Sequence, residues 1–258
     1  MDPIAIGLIV FAFVISGALF GVFLRPRLPV AHLCKDSKEI MKLGTGLVAT
    51  MTALILGLMT ASAKSSFDMR DQAVKHAAAD LLTFDRILAR YGPETREIRD
   101  SLRRLVAWRH DVIWRSHQRS AAFQPGYPAD PAETTPILEG IGDQIQALTP
   151  QNDSQRWLQS RALNSIEEIL KSRWGTFGDG RLTIPVPFLI ALIFWLTIIF
   201  TIFGIFAPRN GTVLGILFVC ALSVSCAVYL IVELDDPFDG VIMVSDEPIR
   251  YALSHMDQ

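Results

Sequence analysis

The sequence predicts an all-α membrane protein: four spanning helices with a soluble helical bundle inserted between the second and the third. Three observations carry this. Half of the residues are apolar, only 19% are charged, and the mean hydropathy is +0.34. A soluble domain of this length would hold about 25% charge. The charges are also segregated. Four windows, Ile4–Leu24, Leu43–Ala63, Pro185–Ala207 and Thr212–Val232, contain no Asp, Glu, Lys, Arg or His. They are 21 to 23 residues long, against the ~20 a helix needs to cross a bilayer. Finally, the polar stretch between the second and third windows shows helical periodicity and no long strand-period run.

Residues 1–63 hold the first two spans. The first window is too long for the apolar core of a cleavable signal, and no basic residue precedes it. It is expected to stay as a helix. Its Gly17 and Gly21 form a small-xxx-small pair, the spacing at which a neighbouring helix can approach closely. The loop from Arg25 to Lys42 is broken by Pro26 and Pro29.

The second span has two adjacent stripes. Gly46, Thr50, Ala53, Gly57 and Ala61 are small; Leu47, Met51, Leu54 and Leu58 are bulky. Two readings are open, one for each face. The small residues, Gly46, Ala53 and Ala61 above all, can seat another helix, with the threonines bonding their own backbone. Alternatively the helix lines a pore through Thr50, Met51, Leu54, Gly57 and Leu58, and the bulky stripe is a hydrophobic constriction that gates by dewetting.

Residues 64–184 are expected to form the soluble bundle. Val74, Ala77, Leu81, Phe84, Leu88 and Tyr91 alternate at spacings of three and four, an a/d seam. Nothing before Ser66 breaks a helix, so the second span is expected to run on to Tyr91, where Gly92-Pro93 stops it. A helix follows to about Arg119, with Ile98, Leu102, Leu105 and Val112 inward. After a proline-rich loop come a short helix from Pro136 to Leu148 and a last one from about Asp153 to Trp174, with Leu158, Ala162, Ile166 and Ile169 on one face.

Residues 185–234 hold the third and fourth spans, joined by Pro208-Arg209-Asn210-Gly211, a turn by composition. Residues 235–258 read as an acidic tail. It begins with Asp235, Asp236, Pro237, Phe238, Asp239 and Gly240. Three aspartates within five residues are candidate oxygen ligands for Ca²⁺, although this is no EF-hand loop; a solvated acidic turn is the plainer reading. No other cofactor is expected.

Several functions are excluded. A net charge of −2 gives no basic excess for nucleic acid. No nucleophile arrangement or phosphate loop appears, so no enzyme is expected. His110, Trp114 and His117 share a helix face, but no third ligand completes a metal set. The spans carry no ionisable midplane group, which disfavours coupled transport. Passive conduction or plain anchoring remains.

Two stretches resemble a bacterial membrane family of unknown function, the bestrophin-like domain family. One is Leu43 to Leu58, running on through Ala63-Lys-Ser-Ser-Phe67. The other is Leu234 to Gly240 with its continuation from Val244 to Ile249. More distantly, the plan resembles bestrophins, pentameric and commonly anion-selective ion channels whose second spanning helix lines the pore. That resemblance implies a homo-oligomer, a pentamer, in the lipid of a bacterial inner membrane. It implies neck residues Met51, Leu54 and Leu58, and Ca²⁺ at Asp235, Asp236 and Asp239. The helix departs from the Phe- and Ile-rich bestrophin neck in its Gly, Ala and Thr content. Lys and Arg counts near the span ends are equal on the two sides; charge density favours cytoplasmic short loops, whereas the resemblance places the bundle in the cytosol, which is the expectation adopted. A non-conducting membrane-anchored sensor, using the Val74–Tyr91 seam to dock a partner, is the alternative.

Overall fold

The structure is a computed structural model. It describes residues 2–29, 35–114, 135–171, 185–208, 210–235, 237–238 and 240–256. The described residues form α-helices and two single-turn 3₁₀ segments, with no strand among them. The helices are α1 (Pro3–Leu24), α2 (Lys35–Tyr91), α3 (Arg96–Trp114), α4 (Thr135–Gln146), α5 (Asp153–Lys171), α6 (Val186–Phe206), α7 (Gly211–Asp235) and α8 (Glu247–His255). The chain divides into two compact units, residues 1–67 with 182–236, and residues 68–181 with 237–258.

The first unit contains α1, the first part of α2, α6 and α7. These are four helices long and apolar enough to cross a membrane. Lipid offers a backbone no hydrogen bonds, so a spanning segment must satisfy its own. The side-chain hydroxyls obey the same rule. Thr197 donates to the Ile193 carbonyl, Thr201 to that of Thr197, and Ser225 to that of Ala221, at 2.7 to 2.8 Å.

The core of this unit is a stripe on α1, Ile6, Val10, Val14 and Ala18, against Leu192, Leu196 and Phe200 of α6 and Leu217, Ala221 and Val228 of α7. Glycine sets how close the helices come. A Cβ on Gly21 would run into the Thr201 carbonyl, and one on Gly204 into the Ala18 carbonyl. At Gly17 it would lie 2.9 Å from the Thr197 carbonyl oxygen, and at Gly7 3.1 Å from Tyr229 Cβ. So α1 meets α6 almost backbone to backbone, the geometry that small residues permit in membranes. Past this crossing, Arg25 donates to the carbonyl of Ala207 and ties the two helix ends together.

The second unit is the helical bundle. All six seam residues from Val74 to Tyr91 are buried, with Phe84 and Leu88 at 0% and 1% exposure. They share the interior with Ile98, Leu102 and Leu105 of α3, Leu138, Ile141 and Ile145 of α4, and Leu158, Ala162, Ile166 and Ile169 of α5. Gly92, at φ 140°, turns the chain out of α2. Thr95 then donates to the Leu88 carbonyl at 2.6 Å, satisfying one of the last carbonyls of the helix. On α3 the buried positions include Leu102, Leu105, Arg109 and Ile113. The stripe therefore carries Ile113 inward in the last turn and leaves Val112, expected inside, half-buried.

The segment read as an acidic tail contains α8, which packs on α3. Ile249, Ala252 and Met256 are its buried face. The bundle also holds one nearly buried ion pair. Asp85, 4% exposed at its side chain, accepts from Arg99 Nε and Nη2 at 2.8 and 2.9 Å. The same guanidinium donates to the Met256 carbonyl at 2.9 Å.

Candidate functional site

The spanning part of α2 differs from the other three spans in how little of it the chain covers. Only 17% of its apolar window is buried, against 28% to 33% for the others. Its inner side is narrow: Thr45, Thr52, Met59, Ala63 and Ser66. Met59 and Ala63 join the core of the first unit.

The opposite side is bare. Leu47, Met51, Leu54 and Leu58 are 62%, 50%, 74% and 61% exposed. Thr50, Ala53, Gly57 and Ala61 beside them are exposed as well. A Cβ added at Gly46 or Gly57 would touch nothing within 4 Å. Among the described residues, then, no helix packs closely on Gly46, Ala53 or Ala61, unlike Gly17 and Gly21. The hydroxyls contribute no free donor: Thr50 donates to the Leu47 carbonyl at 2.8 Å, and Thr45 and Thr52 to the carbonyls four residues back at 2.7 Å. What the face offers is an uncharged wall of methyl and methylene groups, interrupted by glycine.

This wall has charged ends. Lys42 and Lys64 fall on the small stripe, Lys42 four residues before Gly46 and Lys64 seven after Gly57, spacings that share a helix face. Both are exposed. The Lys64 ammonium sits 5.3 Å from the centre of the Phe67 ring.

At the other candidate site, Asp235 ends α7 and is 2% exposed. Asp236 and Asp239 lie outside the described residues. No three His, Cys, Asp or Glu side chains among the described residues are grouped as a metal would require. Of a calcium set built on all three aspartates, Asp235 alone is among the described residues.

After the turn, the chain is latched onto α3. Trp114 Nε1 donates to the Val244 carbonyl at 2.9 Å. His110 Nε2 lies 3.0 Å from Asp246 Oδ2, and its Nδ1 3.3 Å from Asp111 Oδ1. Trp114 stacks on His110 and meets Phe238 edge-on, with centroids 5.5 and 5.6 Å apart. The shared face of His110 and Trp114 is thus a docking surface for the Val244–Asp246 segment of the same unit; His117 lies outside the described residues. Periodicity showed that the two residues share a face but not what they face.

The model of the bestrophin-like domain family matches residues 12–249. The chain belongs to the bestrophin-like family. Two solved structures share the bestrophin-like fold, both single-substitution variants of a bacterial bestrophin homologue from Klebsiella pneumoniae. One is 16% identical, covers 97% of this chain and 99% of its own, and superposes with a TM-score of 0.56. The other is 17% identical, covers 94% and 97%, and gives 0.55. No curated protein matches the sequence. The bestrophin-like match includes residues of both units.

Proposed function

We propose that this protein is the subunit of a homo-oligomeric, passive ion channel that favours anions, with the bare face of α2 lining the path. The carrying observation is that face: a spanning helix with its bulky and small stripes both exposed, in a unit whose other helices are more covered. Bestrophins, which the sequence resembles, place the corresponding helix around a central axis. Repeated about an axis, Leu54 and Leu58 with Met51 form a dry constriction that conducts when it wets. The same rotation turns Lys42 and Lys64 into a ring of positive charge at each end of the uncharged stretch, which raises the local concentration of anions. Five copies are the number the resemblance implies.

The bacterial inner membrane is the proposed location, with the bundle on the cytosolic side. Impermeant thiol labelling of Cys34 from outside intact cells tests this topology: labelling is expected, and protection reverses the assignment. Calcium control through Asp235, Asp236 and Asp239 is a further proposal, tested by titrating Ca²⁺ during recording. The sensor alternative relied on the Val74–Tyr91 seam as a partner surface. That seam is filled by the bundle's own helices, which removes its motive.

The test is recording from purified protein in planar bilayers, with Cl⁻ and K⁺ gradients to read selectivity. Currents reversing near the chloride potential are expected. Silence across pH and Ca²⁺, with a known channel conducting in the same bilayers, overturns the proposal.

A further inference from the structure

On the bundle, α2 and α5 border a groove of about 310 Å³ whose rim holds three arginines, Arg86 and Arg90 on α2 and Arg161 on α5. Successive arginines on α2 are four residues apart and share a face. Trp157, also four residues from Arg161, forms the remaining wall, and Ile87 and Leu158 form an apolar floor, 6% and 7% exposed. Trp157 is 59% exposed, unusual for the largest side chain. Its ring holds the Arg161 guanidinium at 5.4 Å from its centre, a cation–π contact that restrains the cation without neutralising it.

No acidic residue is among the described residues that line the groove. Elsewhere on the bundle Arg99 pairs with Asp85, Arg156 with Asp153 and Arg250 with Asp246. Arg86, Arg90 and Arg161 have no ion-pair partner among the described residues. Three like charges converging on one concavity repel each other, and an anion relieves that repulsion. Thr83, at the rim, spends its proton on the Ala79 carbonyl at 2.9 Å, so the donors available to a ligand are the guanidinium forks. These forks match pairs of oxygens on one tetrahedral centre better than a spherical halide. The volume exceeds that of a single small ion and falls at the lower end of small-molecule sites.

We propose that this groove is a binding site for a multivalent anion carrying phosphate groups, held by Arg86, Arg90 and Arg161 over the Trp157 wall. It is a site on the bundle separate from the α2 span, and it stands whether or not the protein conducts. A soluble phosphate compound and a phosphorylated lipid headgroup present the same chemistry.

The test uses the full chain in nanodiscs of neutral lipid, titrated with inorganic pyrophosphate at constant ionic strength. The readout is tryptophan emission, with Trp157→Phe identifying the share that comes from the groove. A second arm compares nanodiscs with and without a phosphoinositide. Expected is a saturable change that disappears in Trp157→Phe, is weakened roughly tenfold by Arg86→Gln or Arg161→Gln, and is lost in the double variant. These are rim residues, and an unchanged melting temperature checks that the variants are folded. Saturation in the first arm identifies a soluble source, and a change confined to the second identifies a lipid. No saturable change in either arm, or equal affinity in wild type and the double variant, overturns the proposal. So does a double variant that only loses its oligomer.

Discussion

Adding one methyl group at a glycine should have opposite effects at the α1–α6 crossing and on the spanning part of α2. At Gly21 the new methyl meets the Thr201 carbonyl and the Ile205 amide nitrogen, and at Gly204 it meets Ala18. All are backbone atoms and cannot rotate aside, so α1 and α6 must separate. Overpacking of this kind costs about 1–3 kcal/mol or more. For a chain of this size that is a fall of roughly 2–12 °C in melting temperature for Gly21→Ala. Gly17→Ala should cost less, because two of its three near neighbours are atoms of the Thr197 and Thr201 side chains, at 3.0 Å. Gly46→Ala and Gly57→Ala meet nothing within 4 Å. Within one subunit they should be neutral or gain about 1 kcal/mol from the better helix former. The assay is thermal unfolding in detergent, followed by fluorescence-detected size exclusion. A Gly21→Ala protein as stable as wild type would refute the close crossing. If Gly57→Ala leaves the subunit stable but changes the oligomer peak or the current, the bare face is used between subunits.

Three further outcomes follow from the packing. The Tyr91 hydroxyl is buried with no hydrogen-bond partner among the described residues, so Tyr91→Phe should leave stability unchanged or raise it by about 1 kcal/mol, and a clear loss in chemical denaturation would contradict this. His110→Ala removes the contact to Asp246, and amides of α8 should then exchange with deuterium roughly tenfold faster, whereas unchanged exchange would show that the latch carries no energy. Leu54→Asn places a polar group on the most exposed apolar position of the proposed constriction. It should increase the current in bilayers, and a current identical to wild type would move the constriction elsewhere.

The spans were readable because lipid imposes a rule a sequence can show: uncharged stretches of fixed length. The bundle seam was readable for a similar reason, since Val74 to Tyr91 keeps one helical period for five turns. α8 was not, because Glu247 to His255 is short and begins among acidic residues, and its inward face exists only through α3. The two glycine sets also looked alike in sequence. Gly17 and Gly21 lie in close contact with α6 while an added Cβ at Gly46 or Gly57 meets nothing within 4 Å among the described residues, and that difference belongs to tertiary packing. Arg161 is far along the chain from Arg86 and Arg90, so only the groove bordered by α2 and α5 reveals the three as a group. For the aspartates after α7 the structure adds the burial of Asp235 alone.

Everything proposed for the spanning helices turns on whether the uncovered face of α2 surrounds an ion path. The most direct measurement is a cryo-electron microscopy map of the full-length protein in nanodiscs, read for its symmetry and for the radius along its axis. A ring of identical subunits is expected, with Leu54 and Leu58 nearest the axis and a continuous opening bounded by Lys42 and Lys64. A map in which those leucines face lipid on the outer rim, or are sealed against another helix with no opening, would contradict it.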